Sequence, residues 1–317
     1  MNRETGPVPE RLYHPHEILL EGGSRDVAGL RERLASAFPP ERRVASVLHG
    51  AEGTQADGHV ARLELAGTTS RWELPTHPDP ALLAQLLAGC DLALVQGAAG
   101  RGALRVVAVD AYTVLDAMAG AVALTGQERP SRVPSGGIPF FAPGEERDLA
   151  LLLEERAAET VREKPLLGLV AGCREADRAS ELATRLQGLV DETFVVGEAV
   201  MTGRLPGWLR PVTRTLGGAG YLGDLLAATT ALPGCALLTV SGRDGDDAAR
   251  TAVEMLVEGR DPLSDATALR GSQDSLPRNG AVLWEAKGLG RLWGFLGAGW
   301  RCPQRILNQC RTRLLEP

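Results

Sequence analysis

Short uncharged apolar runs alternate along the chain with longer stretches whose apolar residues recur every three or four positions. The runs read as strands buried on both faces, and the longer stretches as amphipathic helices packed against them. The pattern is clearest from Leu166 to Gly197. Leu166-Leu167-Gly168-Leu169-Val170-Ala171 carries no polar side chain and predicts a buried strand. Ala176, Ala179, Ala183, Leu186 and Val190 then keep helical spacing, and Gly188 stops the helix. Thr193-Phe194-Val195-Val196-Gly197 is a second buried strand. The three pieces make a β-α-β unit whose first turn is only Gly172-Cys173. That turn opens on the edge where a doubly wound sheet takes its ligand. A triphosphate-gripping enzyme needs a glycine-rich loop with a lysine there, and two residues cannot form one.

The same alternation runs through both halves. In the first, strands are predicted at Ile18–Leu20, Val44–Leu48, Ala61–Leu65, Asp91–Gly97, Leu104–Val109 and Ala121–Leu124. Helices are predicted at Asp26–Phe38, Pro80–Ala88 and Glu145–Glu163, and Ile138–Pro143 reads as a proline-broken connector. Lys164-Pro165 marks a domain boundary, giving residues 1–163 and 164–317. In the second half, strands are predicted at Pro211–Thr213, Ala236–Val240, Ala266–Arg270 and Ala281–Trp284. Helices are predicted at Tyr221–Ala231, Asp246–Glu258, Leu289–Leu296 and Pro303–Cys310. The fold class is therefore α/β, with two doubly wound, mostly parallel sheets.

Composition narrows the chemistry. The 317 residues are 44% hydrophobic and 23% charged with a formal charge of −6, which argues against a nucleic-acid partner. No run is long and apolar enough for a membrane span, and the polar start is unlike a signal peptide, so a cytoplasmic protein without a membrane partner is expected. The five cysteines, Cys90, Cys173, Cys235, Cys302 and Cys310, form no Cys-x-x-Cys pair and read as small, mostly buried residues. The five histidines, His14, His16, His49, His59 and His77, all lie in the first half, with no acid or cysteine partner fixed beside them by sequence. Lysine occurs only at 164 and 287, so a phosphate-cradling lysine must be one of those two. Lys164 precedes its strand, and six residues at about 3.3 Å each put it roughly 20 Å from the ligand edge.

Two glycine turns sit where phosphates are usually held. Gly22-Gly23-Ser24 follows the first strand and leads into a helix, but Asp26 stands where backbone amides should face an anion, and it would repel one. Gly217-Gly218-Ala219-Gly220 precedes the helix at Tyr221 and reads either as a ligand cradle or as a plain turn. Trp284, Trp293 and Trp300 read either as ligand-facing rings or as core and interface aromatics.

Taken together, these segments resemble a known pair of families. Residues 164–317 are similar to molybdenum cofactor guanylyltransferase, a nucleotidyltransferase, over Gly168–Val196, Gly218–Leu225, Ala236–Ser241, Asp265–Ala268, Leu276–Glu285 and Cys302–Leu307. Residues 1–163 resemble, more faintly, the molybdopterin-guanine-dinucleotide adaptor with its P-loop, over Val44–His49, Ser70–Leu74 and Cys90–Gly97. The departures fall on chemistry. The long triphosphate loop of the transferases is replaced by Ala171-Gly172-Cys173; the position of their magnesium aspartate is matched by Arg243, with Asp244 one residue late. The P-loop lysine of the adaptor is matched by Val27 and its acid by Gln96.

The resemblance implies an adaptor–guanylyltransferase fusion that has lost catalysis. It would act by cofactor binding or scaffolding in molybdopterin guanine dinucleotide maturation, with other molybdenum cofactor biosynthesis proteins or molybdoenzymes as partners. Its ligand would be molybdopterin or molybdopterin guanine dinucleotide, met by Gly172, Gly218, Gly220, Arg270, Asn279 and Trp284. A guanidinium suits the pterin phosphate, and an amide or aromatic face suits the ring. Two alternatives stand beside it. One is an active guanylyltransferase with Mg²⁺ on Asp244 and phosphate on Arg174 or Arg243; the other is an interaction module with no ligand.

Overall fold

The computed structural model describes residues 16–22, 24–40, 42–49, 59–65, 71–75, 90–96, 104–110, 113, 115–133, 137–162, 165–197, 205–214, 219–232, 234–242, 249–271 and 277–316. These fall into two compact units, the chain passing from one to the other between Glu159 and Thr160, in the last turn of the helix Glu146–Arg162. The helix predicted at Pro80–Ala88 lies outside the described residues. Among the described residues no helix is long and apolar enough to cross a membrane.

The first unit is built from β1 (His16–Glu21), α1 (Ser24–Ala37), β2 (Val44–His49), β3 (His59–Leu65), β4 (Arg71–Pro75), β5 (Leu92–Gln96), β6 (Leu104–Ala108), α2 (Leu115–Met118), β7 (Ala123–Thr125), β8 (Phe140–Phe141) and α3 (Glu146–Arg162). Its sheet runs β4-β3-β2-β5-β1-β6-β7-β8. Pairing is parallel except across β2–β3 and β3–β4. Helix α1 buries Val27, Leu30, Leu34 and, just past its end, Phe38, at helical spacing. Ion pairs from Arg33 to Glu146 and from Arg42 to Glu154 tie α3 to α1 and the turn after it. The hydrogen bond from Arg33 holds the Glu146 carboxyl below its usual value.

The second unit contains β9 (Leu166–Ala171), α4 (Ala176–Thr184), β10 (Thr193–Gly197), β11 (Arg210–Thr213), α5 (Gly220–Ala231), β12 (Ala236–Ser241), α6 (Arg250–Glu258), β13 (Ala266–Arg270), β14 (Pro277–Trp284), α7 (Ala286–Gly297), α8 (Pro303–Gln309) and β15 (Thr312–Leu315). The sheet order is β11-β10-β9-β12-β14-β13-β15, with β14 alone antiparallel to its neighbours. Both sheets are thus mostly parallel and flanked by helices, as the alternation of patterns predicts. Gly168 sits in β9 because α4 and its exit lie hard against the strand. A Cβ there would meet Leu186, Thr193 and Val190 at 2.9–3.1 Å.

Several features depart from the sequence reading: β4 and α2 have no counterpart in it, and α4 ends at Thr184, before the Gly188 stop. Pro277-Arg278-Asn279-Gly280 has the composition of a turn but forms the first half of β14, pairing Pro277 with Arg270 across a register shift. Tertiary pairing overrides local propensity here. Phe140–Phe141 and Thr312–Leu315 are strands too short to show a period, and each gains its pairing only from a neighbour, β7 or β13. Helix α7 starts at Ala286, earlier than its apolar spacing suggests, because Gly288 lets the first turn press on Asp265; a Cβ there would lie 2.1 Å from the Asp265 carbonyl oxygen.

Charge is concentrated at the end of this sheet opposite the ligand edge. Arg260 donates to both carboxylate oxygens of Glu285 at 2.7 and 3.0 Å; Glu285 is buried and the Arg260 side chain is 10% exposed. Asp265 accepts from Arg291 and from the Arg311 amide, while Lys287 donates to the Leu263 carbonyl oxygen and lies 3.9 Å from Asp265. Burial pushes the Glu285 carboxyl up, opposed by Arg260. It also pushes the nearby Cys310 thiol up to about 12. Removing one member of a buried pair strands the other charge, so Glu285→Ala is expected to cost about 3–5 kcal/mol. Urea unfolding of the full chain checks this; a loss below about 1 kcal/mol would show that Arg260 finds solvent instead.

Candidate functional site

Doubly wound sheets bind ligands at the C-terminal strand ends where the strand order reverses. In the second unit that point lies between β9 and β12, whose ends are in register from Leu166↔Ala236 to Ala171↔Ser241. The chain leaves β9 through Gly172, which holds φ +77°, a conformation glycine adopts without strain. It leaves β12 through Gly242, whose amide donates to the Ala171 carbonyl oxygen at 2.8 Å. A Cβ on Gly242 would lie 2.0 Å from the Cys173 sulfur, and Cys173 is only 4% exposed. The mouth of the crevice is therefore filled by a thiol packed against a backbone.

Beside it stands a buried acid. Asp224, in the second turn of α5, is 0% exposed and is the one charge in an otherwise uncharged helix. Arg214, just past β11, donates from Nε to Oδ1 at 2.6 Å and from NH2 to Oδ2 at 3.1 Å. The Gly172 amide donates to the same Oδ2 at 2.9 Å. The first amide beyond β9 is the group expected to meet a ligand anion, and an internal carboxylate takes its hydrogen bond. Tyr221 fixes the start of α5 through a 2.7 Å hydroxyl contact with Thr239, which donates to the Val282 carbonyl oxygen at 2.8 Å.

The predicted site residues divide around this edge. Gly172 and Gly220 are both there, Gly220 opening α5 at φ +57°. Arg270 ends β13 on the same edge, but three strands from β9, about 14 Å away at normal strand spacing. It is exposed and pairs with Glu316 at 3.0 Å. Asn279 lies on β14 near this edge, its side chain outside the described residues, as are Gly218, Arg243 and Asp244. Trp284 belongs elsewhere: β14 runs antiparallel and carries it about 17 Å from Asn279 to the far end of the sheet, where it is 1% exposed in the core. It cannot present its ring to a ligand at the crevice. Arg174 is exposed at the start of the turn, and Lys287 lies in the opposite charge network. Among the described residues no cluster of three or more His, Cys, Asp or Glu could hold a metal. A cleft of about 350 Å³ lined by Gln187, Asp191, Glu192, Trp208 and Arg210 lies at the N-terminal ends of β10 and β11, away from the crevice.

Asp224 and Arg214 were not among the predicted site residues. The signal for them was a lone acid in an apolar helix, which demands a buried cation. In the first unit, the corresponding turn joins Glu21 to Ser24 through two residues. A Cβ on Gly22 would lie 2.7 Å from the Ala108 carbonyl oxygen, and Glu21 is held by Arg105. Val27, matched to a phosphate lysine, is fully buried among apolar side chains.

Two outcomes follow. Arg214→Met should destabilise the chain by about 3–5 kcal/mol by leaving Asp224 buried and unpaired, while Arg214→Met with Asp224→Leu should regain much of the loss. Chemical denaturation of the four proteins in the cycle decides it, and an additive double mutant would mean the pair is not coupled. The full chain should show no GTP hydrolysis above a no-protein blank; turnover abolished by Ser24→Ala would contradict this.

No protein-family model matches the sequence. No curated protein matches it either. Solved structures similar to about half the chain include molybdopterin-guanine dinucleotide biosynthesis protein A from Archaeoglobus fulgidus, at 13% identity and a TM-score of 0.36, covering 48% of this chain and 83% of that one. A putative protein from Aquifex aeolicus shares 11% identity at a TM-score of 0.39, covering 49% and 88%. A CMP:2-keto-3-deoxy-manno-octonic acid synthetase solved with CTP shares 12% at a TM-score of 0.35, covering 48% and 89%. At these values the likenesses carry no function to this chain.

Proposed function

We propose that the second unit is a nucleotidyltransferase-like domain that has lost transfer. It works by holding a pterin-type cofactor, or by scaffolding its handling, in molybdopterin guanine dinucleotide maturation. The observation that carries the loss of transfer is the closed crevice: Cys173 packs on Gly242, and the Gly172 amide is bonded to Asp224. Nucleotidyl transfer requires positioned cations and Mg²⁺ against developing phosphate charge. A triphosphate entering here would have to displace a buried carboxylate held by an arginine. The link to the molybdenum cofactor rests on the sequence resemblance.

A cofactor phosphate is better served further along the edge. Arg270 and Glu316 are both exposed, and such a pair stabilises little, so the guanidinium can exchange its partner for a phosphate. Asn279, on the adjacent strand β14, is the amide that such a reading assigns to a pterin ring.

Incubation with molybdopterin, GTP and Mg²⁺ should give no dinucleotide above blank. Product that Asp244→Asn abolishes would instead establish an active guanylyltransferase. In calorimetry, molybdopterin or its guanine dinucleotide should bind more tightly than GTP, and Arg270→Ala should weaken that binding by about 1–3 kcal/mol. Equal, millimolar-weak affinity for both, unchanged in Arg270→Ala, would leave a protein-interaction module.

A further inference from the structure

The second unit has an opening at the other ends of its strands. The cleft of about 350 Å³ at the starts of β10 and β11 is lined by Gln187, Asp191, Glu192, Trp208 and Arg210, among others. Its polar wall is fixed by the chain itself. The Asp191 amide donates to the Leu166 carbonyl oxygen at 3.0 Å, and its Oδ2 accepts from the Leu166 amide at 3.0 Å. Glu192, just before β10, meets Arg210 at the start of β11, with Nε 3.1 Å from Oε2 and Nη2 donating to Oε1 at 3.1 Å.

The aromatic wall is a turn. The Leu209 amide donates to the Pro206 carbonyl oxygen at 2.9 Å, closing Pro206-Gly207-Trp208-Leu209. Leu209 is 3% exposed and, like Leu205, packs in the apolar cluster beneath. Those two leucines close the core without the indole between them. Trp208 lies outside both apolar clusters of the unit and is 45% exposed. A ring held out by an anchored turn, beside a polar cleft, offers its π-face to whatever enters.

Charge selects the occupant. Arg210 is neutralised by Glu192, and Arg250, which donates to the Gln187 carbonyl oxygen at 3.1 Å, is paired with Glu254 at 2.8 Å. Among the described residues no cation pairs with Asp191. The lining thus carries one uncompensated carboxylate, in a chain of formal charge −6. An anion would be repelled, and an apolar guest would strip water from the carboxylates and replace it with nothing. An indole face beside a lone carboxylate suits a planar cation, which stacks on the ring and donates from its edge to the oxygens.

We propose that this cleft binds a guanidinium group, stacked on Trp208 and donating to Asp191. The group is carried by a free guanidino compound or by an arginine side chain of a partner. The site lies at the opposite end of the sheet from the crevice, so it stands apart from the cofactor reading.

The test is saturation-transfer NMR of the full chain with n-butylguanidinium, its neutral isostere n-butylurea, and D-glucose. Only the guanidinium is expected to bind, with an affinity that falls as salt rises. Trp208→Leu and Asp191→Asn should each weaken it by about fivefold or more, the scale of one cation–π contact or one charge-assisted hydrogen bond. Both side chains are exposed, asparagine keeps an acceptor for the Leu166 amide, and unchanged thermal melts confirm that the variants fold. The peptide acetyl-Gly-Arg-Gly-amide separates the sources. Tighter binding than n-butylguanidinium assigns the cleft to a partner's side chain, and weaker binding assigns it to a free compound. The proposal is overturned by no transfer to n-butylguanidinium, by equal affinity for n-butylurea, by preference for D-glucose, or by binding that both variants leave unchanged.

Discussion

The carboxylate of Asp224 organises the ligand edge of the second sheet. It is inaccessible to water, so its charge must be met from within, and Arg214 and the Gly172 amide meet it. Those two groups come from the ends of different strands, β11 and β9, on either side of β10. One carboxylate therefore fixes helix α5 against two strand ends. Once that arrangement exists, the turn after β9 has no freedom to wrap a phosphate. Cys173 can then drop into the crevice against Gly242.

A second constraint acts at the other end of the same sheet. There Arg260, Glu285, Asp265, Arg291 and Lys287 form a compensated network that anchors the antiparallel strand β14 and the start of α7. Buried charges of this kind are unfavourable unless each has its partner. The two networks sit on opposite edges, and apolar clusters on both faces of the strands fill the space between them.

Much of the architecture could be read from residue patterns. Buried parallel strands such as Leu166–Ala171 and Ala236–Ser241 declare themselves because both faces must be apolar. The α1 stripe was legible for the same reason. What could not be read were elements defined by a distant partner. Pro277–Gly280 looks like a turn until Arg270 pairs with it, and Thr312–Leu315 is a strand only because β13 lies alongside. For the site, the sequence reading takes the connection after β9 as Gly172-Cys173 alone, whereas α4 begins only at Ala176, so four residues join the two elements. The antiparallel course of β14 was not visible, and it is what removes Trp284 from the edge where Arg270 and Asn279 lie. The Arg214–Asp224 pair joins residues on separate elements, so only the lone charge in α5 hinted at it.

The position of β14 also bears on how the second sheet is assembled. β13 precedes it in the chain, yet β14 is the strand inserted between β12 and β13. Until Pro277–Trp284 is available, β12 has one unpaired edge, and β13 has no place in the sheet. Ala236–Ser241 is entirely apolar or hydroxylic, and an exposed edge of that composition readily pairs with another chain. The sheet is thus vulnerable to misassembly over an interval fixed by its topology, from the emergence of β12 to the docking of β14.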